Sequence, residues 1–135
     1  MIKRSWYALL MIGLLLLAGT AHAGSYLDRA SLLVDQSKQE SAYLRKHLSD
    51  TELARMVHYV CLGRVRAARD MHVPKEVQLA HPHIMLMLES YERAADAAIN
   101  HSAAEFLKFT RRAQDEEQIF RSILAQSGWT VPAMK

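Results

Sequence analysis

The chain contains a single cysteine, Cys61, among its 135 residues, so no disulfide can form within it. Proline and glycine are also scarce, with three and five residues, and after residue 23 all of them except Gly63 lie before, between or after the segments of periodic apolar residues. That distribution favours helices over a strand-rich fold with many turns. Cys-x-x-Cys-His, which attaches c-type haem, is absent. So is Glu-x-x-His, which supplies ligands to di-iron bundles.

Motifs of catalysis are missing as well. The sequence has no nucleophile elbow, no glycine-rich phosphate loop and no zinc-protease helix motif. Neighbouring Glu116 and Glu117 point about 100° apart on a helix, so they do not converge on one reacting atom. We therefore expect a non-enzymatic protein with no cofactor. The charged residues expected on solvated helix faces are Glu89, Glu92, Glu116, Glu117, Arg64, Arg66, Arg69, Arg111 and Arg112.

The first 23 residues have the pattern of a cleaved signal peptide. Lys3 and Arg4 precede an apolar run of about thirteen residues, which ends near Gly19 and is followed by Ala21-His22-Ala23. Such a run spans roughly 20 Å as a helix, less than the ~30 Å core of a bilayer. An uncleaved membrane anchor is the alternative. We expect export to the periplasm or cell envelope of a Gram-negative cell, or secretion from another cell, without stable membrane insertion after cleavage.

Cleavage would also change the charge. The full chain has 17 basic and 14 acidic residues, and loss of Lys3 and Arg4 leaves 15 basic residues, a net charge of about +1. A nearly neutral protein has no strong field with which to attract a polyanion, so we do not expect nucleic acid as a partner. Residues 24–135 are predicted to form one domain, which is long enough to bury a core without disulfides.

Two helices are predicted before residue 71. The first begins at Ser25, a good N-cap residue, and the second begins at the capping-box pattern of Ser49 and Glu52 and runs to about Asp70. Gly63 lies inside the second helix, where a close helix crossing would explain it. The inward positions, spaced by threes and fours, are Leu27, Ala30, Val34, Ser37, Ser41, Leu44 and Leu48, then Leu53, Val57, Val60, Cys61, Val65 and Ala68.

Two further helices follow a longer connection that contains a short helical turn. The third runs from His83 to about Asn100, which is expected to adopt a left-handed conformation at the helix end. The fourth begins at the capping box of Ser102 and Glu105 and ends at Gly128. The inward positions are Ile84, Leu88, Tyr91, Ala95 and Ala98, then Phe106, Phe109, Ala113, Phe120, Ile123 and Leu124.

These elements predict an all-α fold, an up-down antiparallel four-helix bundle built from two αα-hairpins after the signal peptide. The links after the first and third helices are short, and the helices have similar lengths of about 18 to 24 residues. The alternative is an open pair of hairpins that completes its core by forming a homodimer.

Histidine and methionine concentrate around the middle connection. Imidazole binds copper and zinc, and thioether sulfur selects Cu(I). The sequence therefore offers a copper or zinc site at His81, His83, Met85 and His72. Against this, methionine is ordinary core filler on an apolar helix face. His58 and Cys61 form a second pair one turn apart, for which a buried, unreactive thiol is the preferred interpretation.

The sequence supports two main functional hypotheses, beside a third, an enzyme with an unfamiliar site that uses His58 and Cys61. The first is an exported, non-enzymatic helical domain that binds a protein or peptide partner. The second is a metal-binding protein that uses the histidine and methionine residues between positions 71 and 87.

Overall fold

A computed structural model describes the backbone of residues 2–132 and the side chains of residues 24–132, and this part of the chain contains four α-helices. No strand occurs in that range, so the all-α prediction is confirmed. The helices are α1 (Ile2–Arg45), α2 (Thr51–Asp70), α3 (His81–Ile99) and α4 (Ala103–Gln126), and a 3₁₀ turn (Lys75–Val77) lies between α2 and α3.

Helix α1 begins earlier than predicted. It runs without interruption from Ile2, so Ser25 lies inside the helix and does not cap it. The physical reason is that residues 2–25 contain no proline and consist mainly of good helix formers, so nothing ends the helix there. The side chains of the predicted signal peptide and its cleavage point lie outside the described residues. Among the residues whose side chains are described, no helix is long and apolar enough to cross a membrane.

The N-termini of α2 and α4 are capped by side chains. At α2 the cap is Asp50, whose Oδ1 accepts from the Leu53 amide at 3.0 Å, so the prediction of Ser49 was wrong by one residue. Asp and Ser are equally good N-caps, and spacing alone did not decide between them. At α4 the predicted cap is confirmed, because Ser102 Oγ accepts from the Glu105 amide at 3.4 Å.

The C-termini of α3 and α4 have the same hydrogen-bond pattern. After α4, the amides of Gly128 and Trp129 donate to the carbonyls of Ala125 and Leu124, and Gly128 has a φ of +79° as predicted. After α3 the left-handed residue is His101, with a φ of 56°, rather than Asn100, with a φ of −86°. A non-glycine residue thus occupies the position that glycine prefers.

Helix α3 occupies the centre of the fold. It packs most extensively against α4 and α2 and also contacts α1. Its buried face carries many small side chains, which let the neighbouring helices approach closely. The predicted inward residues are buried in α3, and most are buried in α1, α2 and α4. Val60 is exposed, so its predicted inward position was wrong. Gly63 is exposed too, and a Cβ added there would meet no atom, which rules out the predicted helix crossing within the described chain.

Candidate functional site

His81, the first of the predicted metal ligands, is engaged at both ring nitrogens. Its Nε2 lies 3.1 Å from the Ala68 carbonyl oxygen, which only accepts, so Nε2 carries the proton. Nδ1 then accepts the phenolic proton of Tyr26 at 2.9 Å. Burial lowers the pKa of His81 from 6.5, which favours this neutral form. A metal at His81 would have to displace one of the two hydrogen bonds.

The other predicted ligands have surroundings that differ from those of His81. His83 Nδ1 donates to Glu116 Oε2 at 2.7 Å. This arrangement leaves Nε2 as the ring nitrogen with which His83 would bind a metal. Met85 packs against the hydrophobic core, and His72 is exposed in the connection after α2. Within the described residues, no group of three or more His, Cys, Asp or Glu side chains is placed to hold a metal ion. The metal hypothesis stays a prediction.

Cys61 and His58 face different surroundings although they lie one turn apart. His58 Nε2 donates to Glu92 Oε1 on α3 at 2.7 Å. Cys61 is buried, and this burial raises the pKa of its thiol to about 11, an effect that the charge of Arg64 opposes. The thiol therefore stays protonated near neutral pH, as expected of a small buried side chain rather than a nucleophile.

Two charged residues that were expected in solvent are buried between helices. Arg64 of α2 forms a bidentate ion pair with Glu40 of α1. Glu117 of α4 is 6% exposed, and its Oε1 accepts from Lys38 of α1 at 3.1 Å and from Arg121 at 2.9 Å. These predictions were wrong because both residues lie on the inward stripe of their helix, where paired charges can be buried.

Sequence reasoning missed Glu117, although a signal was available. Ala113, Glu117, Phe120 and Leu124 follow one another at spacings of four, three and four, which is the inward period of α4. The charge of a glutamate indicates a solvated position, but the spacing indicates a buried one. Burial raises the pKa of the Tyr91 phenol, and the negative charge of Glu117 raises it further.

Two serine hydroxyls on the inner face of α1 lack hydrogen-bond partners. Ser37 Oγ and Ser41 Oγ are both buried and make no hydrogen bond within residues 24–132. A buried hydroxyl without a partner destabilises a fold by about 1–3 kcal/mol. Such a group is often completed by a ligand or by water.

One of these serines lines a groove between α1 and α4. The groove has a volume of about 690 Å³, within the size range of ligand pockets. Its lining includes three cations, Lys38, Arg45 and Lys46, and no carboxylate. Lys38 is already paired with Glu117 at one end, whereas Arg45 and Lys46 form no ion pair within the described chain. The remaining lining residues are Gln39, Ser41, Ala42, Tyr91, Thr110 and Gln114.

The groove can therefore hold an anionic group. Its open positive charge comes from the C-terminal end of α1, and the amides of Gln39 and Gln114 add neutral hydrogen-bonding groups beside it. Ser41 also contributes to the lining, with its hydroxyl buried. Guanidinium and ammonium groups bind carboxylates by charge-assisted hydrogen bonds. We call this set of nine lining residues the α1–α4 groove. No family model, curated protein or solved structure matches this chain.

Proposed function

We propose that this chain is an exported, non-enzymatic helical-bundle protein of the periplasm or cell envelope, or a secreted one in other cells. It binds a protein partner by holding an acidic peptide segment of that partner. The segment lies in the α1–α4 groove. The observation that carries the proposal is the lining of that groove, where Arg45 and Lys46 have no carboxylate beside them and the Ser41 hydroxyl has no partner among the described residues.

The proposed architecture is the up-down antiparallel bundle of two αα-hairpins, formed by residues 24–135 after loss of the signal peptide. Short connections at residues 46–50 and 100–102 support the two hairpins. Two links between the outer helices support their opposite directions. Lys38 pairs with Glu117, and Ser31, two turns earlier in α1, donates to the carbonyl oxygen of Pro132, later in the chain.

Binding is favoured over catalysis by how the titratable groups of the core are used. Both ring nitrogens of His81 are engaged, Glu117 accepts from two cations, and the raised pKa of Cys61 keeps it a thiol. Each group stabilises a contact between or within helices. In this proposal, none of them takes part in a reaction.

The acidic segment would be recognised mainly by charge. Arg45 presents a planar guanidinium that suits bidentate contact with a carboxylate, and Lys46 provides a second cation beside it. Partly exposed ion pairs contribute only about 0.2–1 kcal/mol each. We therefore expect weak to moderate affinity, which falls as salt screens the charges.

A defined peptide tests the proposal. Binding of a fluorescently labelled hexaglutamate to the purified protein is measured by anisotropy, with hexalysine and hexaserine peptides for comparison. The Arg45→Ala/Lys46→Ala variant should raise the Kd for hexaglutamate about two- to thirtyfold, as loss of two ion pairs of about 0.2–1 kcal/mol each predicts.

The matched control replaces two exposed cations outside the groove. Arg69→Ala/Lys75→Ala removes the same charge from α2 and from the following turn, and it should leave the Kd nearly unchanged. Equal binding of hexaglutamate and hexaserine would contradict the proposal. So would equal weakening by the two double variants, because attraction would then depend on net charge alone.

A further inference from the structure

Helix α2 exposes a narrow apolar stripe that the four helices do not cover. Met56, Tyr59 and Val60 are 67%, 74% and 45% exposed, respectively. Together with Gly63 they follow the spacing i, i+3, i+4 and i+7, which places them on one face of the helix. We call these four residues the α2 stripe. Its large side chains stay substantially exposed to water in the part of the chain whose side chains are described.

Gly63 is the unusual member of this stripe. It is exposed in the middle of a helix, where glycine is less favourable than alanine by about 1 kcal/mol. A Cβ at this position would meet no atom within 4 Å. Nothing within the described chain therefore requires a glycine. A notch without a side chain does permit close approach of a second helix from outside.

We propose that the α2 stripe binds the α2 stripe of a second copy of this chain, with the two helices antiparallel and related by a two-fold axis between Tyr59 and Val60. In this register Met56 of one copy lies over the Gly63 notch of the other, and Tyr59 lies beside Val60. Large side chains thus face small ones at both ends of the stripe. A two-fold contact needs such self-complementarity.

The charges that flank the stripe agree with the same register. Glu52 precedes the stripe by one turn, and Arg66 follows Gly63 after three residues. Reversal of one helix about the proposed axis places Glu52 of each copy next to Arg66 of the other. Within one chain Glu52 pairs with Arg55, and both side chains are largely exposed, so Glu52 remains accessible to a second cation.

A single pair of helices buries a small interface, about 1,000 Å² or less, which is typical of weak association. We therefore expect a monomer–dimer equilibrium in the micromolar range. Sedimentation equilibrium of the purified protein over about 1–500 µM measures it. Gly63→Gln fills the notch with a polar side chain and should raise the dimer Kd about tenfold or more. It should not lower the Tm of the monomer, because glutamine is the better helix former.

The matched control is Ala104→Gln, an exposed position in the first turn of α4, which should leave the dimer Kd unchanged. The charge register has its own test. Glu52→Arg and Arg66→Glu should each weaken self-association by placing like charges together. Mixing the two variants, or combining both changes in one chain, should restore it.

A protein that stays monomeric over the whole range overturns the proposal. A dimer whose Kd is unchanged by Gly63→Gln also overturns it. The same holds if mixing the Glu52→Arg and Arg66→Glu variants does not restore self-association. These measurements do not involve the α1–α4 groove, so their failure would leave the proposed peptide binding standing.

Discussion

Tyr26 and His81 link α1 to the first turn of α3 through a hydrogen bond of 2.9 Å between the phenolic oxygen and Nδ1. His81 also donates to the carbonyl of Ala68 at the end of α2. One neutral imidazole thus joins three helices. Protonation of Nδ1 would turn this acceptor into a donor opposite the Tyr26 hydroxyl.

The link predicts a loss of stability in acid. The pKa of folded His81 is lowered from 6.5, so the unfolded chain takes up a proton at this site first. Stability from this site is fully present above the unfolded pKa and decreases as the pH falls through the lower folded pKa. Between about pH 7.5 and pH 5 the wild type should lose more free energy of unfolding than His81→Gln does, as urea titrations at each pH would measure. The control His47→Gln, at an exposed position, should lose as much free energy of unfolding over this pH range as the wild type does.

The ion pairs of Glu117 should lose more stability when the cations are removed than when the carboxylate is removed. Its carboxylate is buried, whereas Lys38 and Arg121 are 47% and 40% exposed. Replacing both cations in Lys38→Met/Arg121→Met leaves a buried charge without a partner, which should lower the free energy of unfolding by about 2–4 kcal/mol. Glu117→Leu leaves two cations that can turn to water, so it should change stability by less than about 1 kcal/mol. Equal losses in the two variants would contradict this account.

The two serines of α1 provide a matched pair for separating stability from binding. Ser37→Ala and Ser41→Ala each remove a buried hydroxyl without a partner in the described range, so each should raise the free energy of unfolding by about 1 kcal/mol, the low end of the cost of such a hydroxyl because a small void remains. Only Ser41 lines the α1–α4 groove. If the proposed peptide accepts or donates a hydrogen bond there, Ser41→Ala alone should raise its Kd, by about threefold. An equal effect of Ser37→Ala on the Kd would point to an indirect change in the helix.

His101 offers a stabilising substitution. It holds a φ of 56° at the end of α3, where its backbone amide donates to the carbonyl of Ala98. Glycine adopts this conformation without the strain that a Cβ introduces. His101→Gly should therefore raise the free energy of unfolding by about 0.5–1 kcal/mol, measured as a higher denaturant midpoint with an unchanged m-value. Gly128→Ala, at the equivalent position after α4, should have the opposite effect.

Much of the core was predictable from periodicity, because burial in a helix follows a period of 3.6 residues. The spacing placed Leu88 and Tyr91 of α3 and Phe106 and Phe120 of α4 inside, and all four are buried. Val60 shows the limit of this reasoning. An apolar side chain beside the inward stripe satisfies the same pattern, and only the position of neighbouring helices decides whether it is covered.

The candidate site could be predicted much less well. A groove depends on how far two helices diverge, and residues such as Arg45 and Gln114, which lie far apart in the sequence, become neighbours only in the folded chain. The histidine and methionine residues were close in sequence, yet the described fold gives His81 and His83 different partners. Proximity along the chain is a poor guide where a connection and a helix start direct side chains apart.

The hydrogen bond from Ser31 to the carbonyl of Pro132 has a topological consequence. It holds the segment after α4 beside the early part of the described region of α1, and roughly 10 Å of helix separates Ser31 from Gly24. A short glycine-rich linker should therefore join residue 132 to residue 24. New chain ends could then be opened at exposed positions between Lys75 and Leu79, and such a circular permutant should retain the same four-helix core.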